Sequence, residues 1–197
     1  MASPRVFKSH FRYERLPRTG KFIYVLHNSA DVAVSAYHHF CIIVERDLPL
    51  GRAFDQFINE DKAFFGSWFK HVKSWWPHRN DPDVLFLRYE EVITDLEETV
   101  RRSRSSATSP WTRRAMPRIL ERCSVAFIKQ HSAKFDPPPS SDQPLPWRVI
   151  RKRRDGAGAE EMTPAQRERL EGSALFQRLG ETGSEPLGTG AARPVAD

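Results

Sequence analysis

Two short apolar runs, residues 22–26 and 84–87, constrain the fold of this chain more than any other feature. Each run is rich in β-branched, aliphatic and aromatic side chains and has the length of a strand that is buried on both faces. Amphipathic helical patterns fill the connection between them, at 31–45, 51–59 and 62–76. So long a helical connection joins parallel strands by a right-handed crossover. The sequence therefore predicts an α/β fold, in which helices flank a parallel sheet in three layers.

Shorter elements are predicted around this unit. Residues 4–10 alternate weakly and predict a short strand, and helices are predicted at 90–102 and 117–131. The run Thr163-Pro-Ala-Gln166 has the pattern of a capping box with proline at the first helical position, which predicts a helix up to about residue 179.

Two segments lack the pattern of a helix or strand. Residues 103–115 include the polar run SRSSATSPWTR, which has no apolar period. This segment is either an irregular surface loop or a local sequence error such as a frameshift. Residues 181–197 are rich in glycine, threonine and proline and are predicted to be a flexible tail. One domain is therefore expected over residues 1–180.

Composition excludes several classes of protein. The length of 197 residues corresponds to one domain. No apolar run approaches the about 18 residues of a membrane span, and the N-terminus lacks the apolar centre of a secretory signal, so a cytoplasmic location without a membrane span is expected. Neither Cys41 nor Cys123 has neighbours at metal-ligand spacing, and no metal is predicted. The net charge of +6 favours polyanions or phosphorylated small ligands.

The first strand leads through a polar turn into a helix. Asn28, Ser29 and Asp31 occupy this turn and the first helical residues, and Ser35 follows one turn later. Unpaired N–H groups at a helix start favour an anion, and open parallel sheets bind ligands at this edge. By itself the pattern fits either an anion site or an ordinary helix cap.

Longer sequence motifs favour the anion site over the ordinary helix cap. The run YVLHNSADVAVS at 24–35 resembles the segment YVxRNPKDVxVS, which binds the 3′-phosphate in cytosolic sulfotransferases. The run at 65–76 is similar to the GxWxxHVxxWW stretch of the same family, and 85–91 is similar to its LxLxYEDL strand end. The chain is identified by these phrases as a member of the family of sulfotransferases that use 3′-phosphoadenosine 5′-phosphosulfate (PAPS). The resemblance implies a P-loop-NTPase-like sulfotransferase fold.

The resemblance also implies which residues bind the nucleotide. Ser35 matches the serine that contacts the 3′-phosphate, Tyr89 matches the tyrosine at the adenine, and Arg151 and Lys152 match the basic pair of the RKGxxGDW loop. His27 stands where the family has a phosphate-binding arginine. An imidazole lacks the bidentate, permanently charged fork of a guanidinium, so nucleotide binding is expected to weaken by about 1–3 kcal/mol.

On the acceptor side, Lys8-Ser9-His10 resembles the K-[TS]-H segment of the family. This likeness implies that His10 is the catalytic base and that Lys8 is a second cation near the transferred group. A neutral imidazole can take a proton from an attacking hydroxyl or amine at working pH. The implied reaction transfers a sulfuryl group from PAPS to a small alcohol, phenol or amine, without a metal.

One expected part of the family pattern does not occur in the sequence. A strand followed by a PKSGTTW-type loop should hold the 5′-phosphosulfate, and no such glycine-rich loop is found. We therefore expect a fold that is incomplete at the N-terminus, lacking the strand, loop and helix that bind this group, and a sheet edge left exposed. An incomplete gene model or a truncated paralogue would explain this.

Two other functions remain as alternatives. The first is a non-catalytic relative, or pseudoenzyme, that binds nucleotide or a protein partner. The second, a nucleic-acid-binding module, is disfavoured because the aromatic residues fall at helical core spacing and no nucleic-acid motif is present. A weak homodimer is a further expectation, since Thr163 and Glu168 fit the family's KxxxTVxxxE dimer patch, although Ala159 and Pro164 depart from it.

Overall fold

The computed structural model describes residues 5–44, 49–58, 66–107, 112–135 and 156–172. Their two strands are β1 (Phe22–Leu26) and β2 (Val84–Arg88). The described helices, in chain order, are α1 (Ser29–Val44), α2 (Leu50–Ile58), α3 (Trp68–Trp75), α4 (Tyr89–Thr94), α5 (Leu96–Ala107), α6 (Met116–Arg122), α7 (Val125–Gln130), α8 (Ala157–Glu161) and α9 (Pro164–Glu171). Short 3₁₀ turns lie at Tyr13–Arg15, Trp76–His78, Arg113–Ala115 and Ser132–Lys134.

The two strands pair in parallel, as predicted. Phe22 lies opposite Val84 and Leu26 opposite Arg88, and α1, α2 and α3 lie between them in the chain. The amide of Phe22 extends the ladder by donating to the carbonyl of Asp83 at 2.8 Å. The α/β prediction is confirmed.

The core lies on one face of β1. Tyr24 and Leu26 belong to a buried cluster to which the helices contribute, including Ala30, Ala33 and Val34 from α1, Phe54 and Phe57 from α2, Phe69, Val72 and Trp75 from α3, and Leu170 from α9. Phe69, Val72 and Trp75 are three residues apart, so they share one face of α3. That spacing positions the helix against the sheet, and Ser67 caps its start by accepting from the amide of Lys70 at 3.2 Å.

The other face of β1 departs from the prediction of burial on both sides. Ile23 and Val25 are 47% and 50% exposed, whereas Leu87, opposite Val25 on β2, is 2% exposed. The prediction of burial on both faces is therefore wrong for β1 within the described part of the chain. An apolar run shows that a strand is compatible with burial on both faces. The residues that cover the second face have to come from another part of the fold.

The strand predicted at 4–10 is not present in the described part of that range, residues 5–10. Residues 5–12 have no regular secondary structure, and Val6 and Phe7 are 92% and 79% exposed. Within the described residues β1 pairs with β2 alone, so the segment does not join the sheet. Weak alternation does not form a strand without a neighbour to pair with.

The segment predicted to be irregular at 103–115 is partly helical. α5 continues to Ala107, and Arg113–Ala115 form a 3₁₀ turn, while 108–111 lie outside the described residues. No residue of α5 is buried, so the helix needs no apolar period. Arg102 anchors it by donating to the carbonyl of Phe86 on β2 at 3.2 Å. Whether the sequence is in error here stays a prediction.

Two predicted helices are each divided in two, and the capping box predicted for a third is present. The helix predicted at 90–102 is interrupted at Asp95, whose side chain caps α5 by accepting from the amide of Glu98 at 2.9 Å. The helix predicted at 117–131 is divided by Ser124, which caps α7. The capping box of α9 is confirmed, with Thr163 and Gln166 bonded reciprocally at 2.9 and 3.2 Å. Its predicted extension to residue 179 and the tail at 181–197 lie outside the described residues.

Among the helices that the structure describes, none combines the length and the apolar character needed to cross a bilayer.

Candidate active site

A cavity of about 400 Å³ lies beside the carboxyl end of β1, between α1, α2 and α3. Among its lining residues are three of the predicted site residues, His10, His27 and Ser35. Two further imidazoles, His39 and His71, share the lining. The remaining walls are largely aromatic or aliphatic. Within the described residues, the predicted site residues Lys8 and Tyr89 are not part of this lining.

His10 belongs to the exposed segment that precedes β1, and the backbone that follows it is fixed to α3. The carbonyl of Phe11 accepts from His71 Nε2 at 3.1 Å and from Trp75 Nε1 at 3.3 Å. The amide of Tyr13 donates to Ser74 Oγ at 3.2 Å, and the Tyr13 ring is buried. α3 therefore determines where the chain next to His10 runs.

Two histidines of the cavity were not predicted as site residues. Burial lowers the pKa of His39, and the charges of Lys8 and His10 lower it further. Burial likewise lowers the pKa of His71, and this effect is larger than that of the hydrogen bond that His71 donates to the Phe11 carbonyl, which raises the pKa. Both imidazoles are therefore neutral at pH 7. His71 lies inside the HVxxWW phrase and His39 inside SAYHHF, so family phrases rather than spacing could have indicated them.

The predicted anion notch at the start of α1 is capped by neighbouring side chains. Asn28 Oδ1 accepts from the amide of Asp31 at 2.8 Å, and the amide of Asn28 donates to Glu90 Oε1 at 3.1 Å. These contacts cap the start of α1, and the anion site there stays a prediction. Ser29 is fully buried, and its Oγ has no hydrogen-bond partner among the described residues. Ser35, one turn later, is exposed and contacts the cavity.

His27 is oriented by a carboxylate. Its Nε2 lies 3.1 Å from Asp31 Oδ2, one helical turn away, and its ring centre lies 4.1 Å from that of Tyr89 at the start of α4. The structure thus brings together two residues predicted to contact nucleotide, His27 and Tyr89. At the same time, one nitrogen of His27 is already engaged with Asp31.

Asp31 connects α1 with the C-terminal part of the chain. Its buried carboxylate accepts from the backbone amides of Gly156, at 2.9 Å, and Gly158, and from Asn28 Nδ2 at 2.7 Å. Burial alone would raise the pKa of Asp31, but the hydrogen bonds from His27, Gly158, Asn28 and Gly156 outweigh it and hold the pKa below its ordinary value. The carboxylate is therefore ionised at neutral pH.

α8 packs directly on the start of α1. A Cβ on Gly158 would lie 2.6 Å from the carbonyl oxygen of Ala30, so only glycine permits this approach. Gly156, at φ 75°, turns the chain into α8, and Glu161 Oε2 accepts from His38 Nε2 at 2.8 Å. The segment that follows the predicted basic pair is thus anchored beside the cavity wall. Arg151 and Lys152 themselves lie outside the described residues.

Comparison with known sequences gives matches over most of the chain. The family described as "Sulfotransferase domain" matches residues 1–181. Luciferin sulfotransferase of Photinus pyralis is 34% identical over 136 residues, which are 66% of this chain and 36% of that protein. Sulfotransferase 1E1 of Homo sapiens is 39% identical over 108 residues, 51% of this chain and 36% of that protein. The chain thus spans little more than a third of the length of these relatives.

Solved structures are similar over a larger share. Mouse sulfotransferase SULT7A1 complexed with PAP matches with a TM-score of 0.69 and 29% identity, over 86% of this chain and 63% of that one. Retinol dehydratase in complex with androsterone and the inactive cofactor PAP matches with a TM-score of 0.66 at 20% identity, over 88% of this chain and 49% of that one. The second match supports the fold alone.

Proposed function

Because the chain belongs to the sulfotransferase domain family, we propose that it transfers a sulfuryl group from PAPS to a hydroxyl or amine of a small acceptor. The observation that carries the proposal is the shared cavity, since His10 before β1, His27 at the end of β1 and Ser35 on α1 all line it. The aromatic and aliphatic walls suit a small, largely apolar acceptor.

His10 is the proposed base. The acceptor oxygen or nitrogen attacks sulfur and forms the new bond, while the bond between sulfur and the bridging oxygen of the nucleotide's phosphate breaks. The acceptor proton moves to His10, and adenosine 3′,5′-bisphosphate leaves. General-base help of this kind typically accelerates a reaction by about 100- to 10,000-fold. Lys8 is proposed to supply positive charge close to the transferred group.

The nucleotide is proposed to lie at the start of α1. Ser35 would donate to the 3′-phosphate, with Arg151 and Lys152 adding charge, and Tyr89 would contact the adenine. The relative whose structure was determined with PAP supports the ligand class. The orphaned hydroxyl of the buried Ser29 fits a polar ligand at this helix start. The Glu90 carboxylate bonded to the Asn28 amide does not favour an anion there, so weak binding is expected.

A second candidate is a non-catalytic member of the family that binds nucleotide or a protein partner. It is favoured by the engagement of His27 with Asp31, which leaves that position less able to contact a phosphate than an arginine would be. The two candidates differ in one product. Only the enzyme converts PAPS and an acceptor into adenosine 3′,5′-bisphosphate and a sulfated acceptor.

Calorimetry with adenosine 3′,5′-bisphosphate tests the nucleotide site. The full chain is expected to bind, and Ser35→Ala is expected to weaken binding about tenfold, the cost of one hydrogen bond to a charged group. Ser105→Ala, an exposed helical serine on α5, is the matched control and should bind like the wild type. Binding without sulfation of 4-nitrophenol by PAPS would favour the second candidate. Absence of binding at millimolar ligand would contradict the nucleotide site in both.

We further propose a cytoplasmic location and a weak homodimer. The dimer would use the surface around Thr163 and Glu168 on α9, both exposed. Sedimentation equilibrium over a range of concentrations checks it, and a Glu168→Arg variant should shift the equilibrium toward monomer. A monomer at every concentration would exclude the dimer.

A further inference from the structure

The segment that carries His10 cannot fix the position of its imidazole through its own conformation. Residues 5–12 form no helix or strand, and the side chains of Val6, Phe7 and Phe11 are mostly exposed. General-base catalysis nevertheless requires the base within hydrogen-bond reach of the proton it removes. The positioning of His10 must therefore depend on contacts with other elements.

The carbonyl of Phe11, the residue after His10, receives two such contacts. His71 Nε2 donates to it at 3.1 Å and Trp75 Nε1 at 3.3 Å. These residues are four apart on α3 and so lie on the same face of the helix. An oxygen that accepts two hydrogen bonds from a helix with a buried face is restrained in both position and direction. We call this arrangement of His71, Trp75 and the Phe11 carbonyl the carbonyl clamp.

The clamp also determines the tautomer of His71. A carbonyl only accepts, so Nε2 must carry the proton, and in a neutral ring Nδ1 is then an acceptor. Tyr24 Oη lies 3.3 Å from Nδ1 of His71 and donates a hydrogen bond to it. Burial raises the pKa of the Tyr24 hydroxyl and lowers that of the His71 imidazole, which keeps both groups uncharged. The Tyr24 ring stacks on the His71 ring, with centres 5.6 Å apart.

We infer that His71 is a positioning residue for His10 and that it acts through the carbonyl clamp. The inference rests on the proposed function, because it takes His10 as the base. His71 lines the same cavity as His10 and would be an obvious second base by composition. Both of its ring nitrogens are engaged, however, one with Tyr24 and one with Phe11. It holds the backbone beside the base while the proton goes to His10.

The test uses the full chain with His71→Phe, His71→Gln and Trp75→Phe. His71→Phe keeps an aromatic ring but removes the donor, and it should lower kcat for sulfation of 4-nitrophenol by about 10- to 100-fold, the range expected for a misplaced catalytic group. His71→Gln keeps an N–H donor and should restore most of this loss. Trp75→Phe removes the second donor and should have a smaller effect in the same direction. The affinity for adenosine 3′,5′-bisphosphate should be unchanged in all three.

A readout that needs no turnover accompanies the kinetics. The Cε1–H signal of His10, followed by NMR in protein labelled at histidine, should shift in His71→Phe and return toward its original position in His71→Gln. His78→Gln is the matched control, because His78 stacks on Tyr13 in the same aromatic cluster, at 3.5 Å between ring centres, while its Nδ1 pairs with Asp81 at 2.7 Å. It should leave kcat and the His10 signal as they are in the wild type.

Several outcomes decide the matter. An unshifted His10 signal in folded His71→Phe, or equal impairment of His71→Gln and His71→Phe, overturns the clamp. If the wild type neither binds nucleotide nor sulfates, the proposed function fails, yet the NMR comparison still supports or overturns the clamp. If His71→Phe does not fold, the Trp75→Phe signal gives the answer, with no shift again overturning it.

Discussion

The two sides of the cavity are held together by different kinds of contact. At the start of α1 the buried carboxylate of Asp31 gathers donors from its own turn and from Gly156 and Gly158, more than a hundred residues away. On the opposite side, the segment bearing His10 is exposed and is attached to α3 through the Phe11 carbonyl. The side at the start of α1 is thus part of the buried core, whereas the side that bears His10 lies on the surface. Substitutions on the two sides should therefore affect different measurements, stability on the first and rate on the second.

Among these substitutions, His10→Ala should produce the largest effect. A smaller effect would contradict the difference between the two sides most directly. Loss of a general base typically lowers the rate by about 100- to 10,000-fold, while an exposed side chain contributes little to folding. We expect the sulfation rate to fall by this amount with an unchanged urea midpoint. His131→Ala, at the end of α7 and outside the cavity lining, is the control and should retain both. A large drop in the urea midpoint of His10→Ala would mean that the two sides do not differ as described.

Asp31→Ala examines the other side. Removing the carboxylate leaves the buried amides of Gly156 and Gly158 without an acceptor, which should lower the free energy of unfolding by about 2–6 kcal/mol, since each unsatisfied buried donor costs about 1–3 kcal/mol. Urea denaturation measures this loss. Asp55→Ala is the control, because Asp55 forms an ion pair with Arg169 in which both side chains are 59% exposed, and such pairs contribute about 0–1 kcal/mol. Equal costs for the two variants would contradict the role given to Asp31.

The pH dependence of stability should separate the two sides as well. His39 and His71 have pKa values below the ordinary 6.5, so the unfolded chain binds their protons more readily. Stability is then complete above about pH 6.5 and falls as the pH decreases toward their folded pKa values, by up to about 1.4 kcal/mol per pH unit for each proton. Asp31, lowered from 3.8, adds a second loss only as the pH falls below about 4.

The free energy of unfolding, measured between pH 3 and pH 8 in steps of about one pH unit, distinguishes the two losses of stability. His71→Gln should flatten the part of the curve below pH 6.5, and Asp31→Asn the part below pH 4. If the free energy of unfolding of the wild type did not change between about pH 4 and about pH 6.5, the cavity histidines would not titrate as their burial implies.

His27→Arg should have the smallest effect and sharpens the comparison on the nucleotide side. An arginine at this position offers a permanently charged fork in place of an imidazole bonded to Asp31. Affinity for adenosine 3′,5′-bisphosphate should rise by about 1 kcal/mol, somewhat less than a full charged hydrogen bond, because Asp31 competes for the guanidinium. Calorimetry measures the change. Weaker binding in a folded His27→Arg variant would indicate that the Asp31 pair orients the site.

Much of the fold was predictable because its signals are local. Residues 22–26 and 84–87 encode their strands in consecutive apolar side chains, and the capping box of α9 lies within four residues. The parallel pairing followed from the length of the connection. For residues 103–107 the predicted irregularity was wrong, because α5 lies on the surface, where a helix needs no apolar period. The strand predicted at 4–10 was wrong because it requires a neighbour that the segment itself cannot supply.

The site divides in the same way. His10, His27 and Ser35 were singled out through family phrases, and the structure brings them to one cavity, although their chemical roles stay predictions. His39 and His71 were missed because their importance comes from burial, from the charge of Lys8 acting on His39, and from the hydrogen bonds of His71 with Phe11 and Tyr24. The hydrogen bonds that the amides of Gly156 and Gly158 donate to Asp31 could not be predicted either. No periodicity relates residues so far apart in the chain.

The long-range bonds of Asp31 have a consequence for how the chain acquires its structure during synthesis. β1 and α1 leave the ribosome before Gly156 and Gly158, which follow Asp31 by more than a hundred residues. Until those amides are synthesised, the Asp31 carboxylate lacks two of its donors, so hydration of the carboxylate is more favourable than its burial. The amino end of α1 therefore cannot become dry until α8 has been synthesised, and a nascent chain stalled between the two helices would keep that end hydrated.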